Sequence, residues 1–177
     1  LFLALNHLTP KSKASDVRGE TIETRIIRAF REAGTPINQP NYEGRNCPDK
    51  CILSAFWREL AELETHGGRL NSISTQELEM AAKELRNLLI AHAVGHKWGH
   101  LSNYLEALSK IHSLQDSPFV ANILNAPINK SPGSNLTMTM VKCGAPPEQL
   151  DQALELGADL EVTGEANFPA IDLGPTK

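Results

Sequence analysis

The sequence predicts a mainly α-helical protein, an irregular bundle of about six helices with at most a minor pair of strands and an extended C-terminal tail. Two observations carry that expectation. Apolar residues recur three and four positions apart in nearly every segment, bounded by capping residues, prolines and glycines. Aromatic residues make up only 5% of the 177 positions, so the core must be built from Leu, Ile, Ala and Val, which helix bundles pack well.

Ser15 and Asp16 start a first helix that carries Ile22, Ile26, Ile27, Phe30 and Ala33 on one stripe and stops at Gly34, about residues 16–33. Thr35 to Asn46 holds Pro36, Pro40, Gly44 and three asparagines, the composition of an ordered surface loop. Loops of this length are more often functional than short connectors. Pro48 suits the first position of a second helix, where its missing N–H costs nothing, with Cys47 or Asn46 as the cap. Ile52, Leu53, Phe56, Leu60 and Leu63 follow on one stripe, and His66-Gly67-Gly68 closes what is expected to be a single helix.

A third helical stretch starts at the capping box of Ser74 and Glu77 and persists to Ile111. Its apolar stripe changes sides. Leu78, Ala81, Leu85, Leu88, Leu89, His92 and His96 share one face, whereas Leu101, Leu105, Leu108 and His112 lie roughly 160° away at about 100° per residue. Gly95 and Gly99 fall between the two sets, so a kink or interruption is expected between residues 95 and 100.

Ser117-Pro118 opens a short helix through Asn125, and Pro127 to Asn135 is a second loop. Leu136 to Cys143 is compatible with either a strand or a helix, because Leu136, Met138 and Met140 alternate with threonines. Pro146-Pro147 opens a compact helix that stops at Gly157. One brief strand is expected near residues 160–162. The chain is expected to form one helical domain over residues 1–163 with a tail over 164–177 that adds little to the core. Ile26, Phe30, Phe56, Leu60, Leu85, Leu89, Leu105 and Leu108 are the expected core.

The formal charge is −4, with 17 basic and 21 acidic residues, which argues against a dedicated nucleic-acid or anionic-membrane binder. Leu1 to Leu5 is apolar but far short of the ~20 residues that cross a bilayer. Three cysteines do not make a secreted disulfide scaffold, so an intracellular, cytoplasmic setting is expected. Asn135-Leu136-Thr137 matches a glycosylation acceptor, a pattern that matters only on a secretory route.

His92, His96 and His100 recur every four residues, so a continuous helix would place them on one face, where two imidazoles can grip a zinc ion. Cys47 and Cys51, with the same spacing, are two further candidate ligands. Cys47 has a second reading, since a thiol at a helix N-terminus can have a lowered pKa and act as a nucleophile or redox centre. The H-E-x-x-H and C-x-x-C patterns, the nucleophile elbow, the phosphate-binding loop and the dinucleotide fingerprint are all missing. The expectation is therefore a non-enzymatic helical protein that acts through contacts with a protein partner, as a subunit of an assembly. The alternative is a metal-binding or thiol-redox protein built on His92, His96, His100, Cys47 and Cys51. No cofactor is expected in the first reading, and zinc is the candidate in the second.

Overall fold

The computed structural model describes residues 22–115, 118–128 and 134–159. Among them the protein is mainly helical, with nine helices and no strand. The expected tail, the strand near residues 160–162 and residues 16–21 of the first helix lie outside the described residues. Contacts divide the chain into two compact units.

The first unit holds α1 (Ile22–Glu32), α2 (Cys47–Leu53), α3 (Trp57–Thr65) and the one-turn α6 (His112–Gln115). It also takes the start of α4 (Thr75–Val94) and the end of α5 (Trp98–Lys110). α3 packs against both α1 and α2. Trp57, Leu60 and Leu63 of α3, with Ile27 of α1, Ile52 of α2, Leu108 of α5 and Ile111, supply its largest fully buried side chains. Ile27 rather than Ile26 points inward from α1: Ile26 is half-buried and Phe30 is 37% exposed, so the expected stripe is rotated by about one residue. The backbone N–H of Ser113 donates to Glu64 at 3.1 Å and its hydroxyl donates to the same carboxylate, which ties the start of α6 to α3.

The expected second helix is two helices. Ala55 sits in the left-handed region at φ 56°, and two bonds of a Schellman closure form around it: Phe56 N–H to the Cys51 carbonyl at 2.8 Å and Ala55 N–H to the Ile52 carbonyl at 3.2 Å. Burial explains the break. On one continuous helix Cys51 would lie about 180° from Leu60, and Leu53 only about 20° from it. Yet Cys51 and Leu60 are both fully buried while Leu53 is 42% exposed. The chain resolves this by turning at Ala55, which lets α2 and α3 bury opposite phases of the pattern.

In the second unit, α4 and α5 contribute residues 82–94 and 98–106, joined by α7 (Pro118–Asn125), α8 (Leu136–Lys142) and α9 (Pro147–Glu155). The stripe of Ala82, Leu85, Leu89 and Ala93 on α4 is buried, as are Leu101 and Leu105 on α5. α8 packs against α7 and α9. Its helical state settles the ambiguity at Leu136–Lys142. Asn135 caps it by accepting from Met138 N–H at 2.7 Å, and Leu136 and Met140, four apart on one face, are both fully buried. Both Asn135 and Thr137 of the glycosylation pattern are buried.

The expected interruption between residues 95 and 100 is present: α4 ends at Val94 and α5 begins at Trp98. The residue that turns the chain is not a glycine. His96 takes φ 52°, with Lys97 N–H donating to the His92 carbonyl at 2.8 Å and His96 N–H to the Ala93 carbonyl at 3.1 Å, a second Schellman closure. Ala55 and His96 are thus two non-glycine residues in a conformation that costs an ordinary side chain about 1–2 kcal/mol. Ala55→Gly is expected to stabilise the protein by roughly 0.5–1 kcal/mol, because relief of that strain outweighs glycine's entropic cost. Thermal unfolding checks it as a rise of about 1–4 °C.

Candidate functional site

Two places in the fold gather chemistry-bearing side chains, one in each unit.

In the first unit, Asn46 and Asp49 form a reciprocal capping box at the start of α2: Asp49 N–H donates to Asn46 Oδ1 at 3.0 Å, and Asn46 N–H to Asp49 Oδ2 at 3.1 Å. The Asp49 carboxylate is fully buried and accepts two further backbone N–H groups from a distant segment, Asn71 at 2.8 Å and Ser72 at 3.1 Å. Burying a carboxylate is costly unless its lone pairs are matched, and three backbone donors match them. Asn46, 1% exposed, completes the junction by donating from Nδ2 to the Arg69 carbonyl at 2.6 Å.

The same junction organises the Pro- and Asn-rich loop. Asn38 donates to the Gly67 carbonyl and accepts from Arg69 N–H, both at 2.8 Å, and Asn71 Nδ2 donates to the Gly44 carbonyl at 2.6 Å. Within the loop, Asn41 Oδ1 accepts from Glu43 and Arg45 N–H at 2.9 Å each, while Asn41 N–H donates to the Arg45 carbonyl at 2.8 Å. The chain is thereby closed into a tight turn with Gly44 at φ 78°. Tyr42 stands at the tip of this turn with 95% of its surface exposed.

Arg45 then reaches α4, donating from Nη1 to the Ser72 carbonyl at 3.1 Å and from Nη2 to Glu77 Oε1 at 2.6 Å. Glu77 also receives Ser74 N–H at 2.9 Å and the Ser74 hydroxyl at 2.8 Å, so the predicted capping box is present. These bonds, Ser74 N–H first and the Arg45 guanidinium next, hold the Glu77 carboxyl at about 2, below its ordinary 4.5.

Cys47 and Cys51 lie beside this junction, on α2. Both are buried free thiols. Asn46, not Cys47, is the cap. Burial pushes the Cys47 thiol up rather than down, and pushes Cys51 well above the ordinary range, with nearby Glu59 and Cys47 adding to the effect. A lowered thiol pKa at the helix start, expected for a redox centre, is therefore opposite to what the burial produces.

In the second unit, the break at His96 disperses the expected histidine face. His92 and His100 meet across the α4–α5 turn as stacked rings, centroids 5.4 Å apart and planes 17° apart, and His92 stacks equally on Tyr104 at 5.8 Å. His96 turns away to meet Trp98 edge-on at 5.8 Å and 79°. Imidazole lone pairs lie in the ring plane, so two near-parallel stacked rings do not aim at one ion in this arrangement. Among the described residues, no group of three or more His, Cys, Asp or Glu side chains is placed to hold a metal ion. Among the same residues no helix is long and apolar enough to cross a membrane.

The Ser74–Glu77 capping box and the histidine spacing were legible as patterns. The Asp49 junction was not, because two of its three donors, Asn71 and Ser72, lie more than twenty residues downstream. The available signal was the density of Asn, Asp and Arg in two loops flanking α2 and α3.

No family model matches the chain, and no solved structure matches it. Two curated proteins are similar. One is actin-related protein 8 from Ailuropoda melanoleuca, 24% identical over 147 residues, covering 72% of this chain and 23% of that protein. The other is actin-related protein 8 from Pongo abelii, 23% identical with the same coverage. The chain thus spans under a quarter of the length of the curated relatives it matches.

Two outcomes check the junction. Asp49→Asn places an amide N–H₂ among backbone donors and is expected to cost about 2–4 kcal/mol in urea unfolding. Glu77 supplies a pH signature: its folded pKa is depressed, so its contribution is present above pH 4.5 and disappears as pH falls through to about 2. Glu77→Gln should flatten that part of the stability profile and leave the part above pH 6 parallel to wild type.

Proposed function

We propose that this is a non-enzymatic helical protein that works through contact with a protein partner, as a subunit of an assembly. The single observation that carries the proposal is Tyr42. A large aromatic side chain left 95% exposed does nothing for the stability of its own fold, yet the turn beneath it is closed by bonds from both sides of the loop. Tyrosine on a preorganised turn is a low-entropy contact residue, enriched among those that dominate binding energy. The loop is held by its own chain, so ordering it is not a cost that the partner must meet.

Two further facts support this reading. The buried, raised-pKa thiols are poorly suited to redox chemistry. The similarity to actin-related protein 8 supports a contact role. In this reading the partner is a protein rather than a nucleic acid or a membrane, and the setting is intracellular.

Tyr42→Ala separates display from folding. The variant is expected to keep the wild-type melting temperature within about 1 °C, because an exposed side chain contributes little. In affinity capture with quantitative mass spectrometry, it should lose at least about tenfold of whatever the wild-type chain retains specifically. Equal capture by the two proteins would remove Tyr42 as the contact residue and the proposal with it.

A further inference from the structure

We draw no further inference here: the strongest candidate, the surface patch on the outer side of α9 where Glu148, Asp151, Leu154 and Glu155 are exposed, is an unpartnered helix face, and nothing in the structure shows what covers it.

Discussion

The first unit depends on one buried carboxylate. Asp49 accepts the backbone N–H groups of Asn46, Asn71 and Ser72 and has no exposure to water. Each charge-assisted bond of this kind contributes about 1.5–3 kcal/mol, and their loss would leave an uncompensated charge in the interior. Everything around it follows from satisfying that group. The start of α2 is fixed by the capping box, the segment after α3 is drawn back across α2, and the loop before α2 is laid against that segment through Asn38, Asn46 and Asn71. The exposure of Tyr42 is the far end of this chain of constraints rather than a property of the turn alone.

Chain reversals are the second organising constraint, and they explain why some helices were legible and others were not. Gly34, Gly67, Gly144 and Gly157 all close helices with positive φ, and three of these stops were readable as glycines after apolar stripes. Ala55 and His96 perform the same closure without a glycine. The break at His96 was still readable, because the apolar phase flips across it. The one at Ala55 is hidden in the stripe of Leu, Ile and Phe alone. Counting Cys51 as an apolar residue, which its complete burial justifies, exposes the flip at once.

The candidate site was legible only in part. The spacing of His92, His96 and His100 is real, but its meaning depended on a continuous helix, and the left-handed residue is one of the three histidines themselves. What the spacing produces is a stack of His92 with His100 and Tyr104, and a separate pairing of His96 with Trp98. The Asn-rich loop stands where its composition places it, between α1 and α2. Its partners were not legible, since side-chain-to-backbone bonds across twenty to thirty residues leave no periodic trace. In the same loop the asparagines are structural, and the residue they display is the lone tyrosine among them.

The central claim is that the loop is rigid before any partner arrives. Backbone amide relaxation of residues 38–46 in the isolated protein tests it most directly. The account predicts order parameters near 0.85 through Asn41, Tyr42 and Arg45, equal to those of α3, with slow exchange of the Asn71 and Ser72 amides bound to Asp49. Order parameters below about 0.6 across the turn, or amides of Asn71 and Ser72 that exchange at the rate of an open loop, would contradict it.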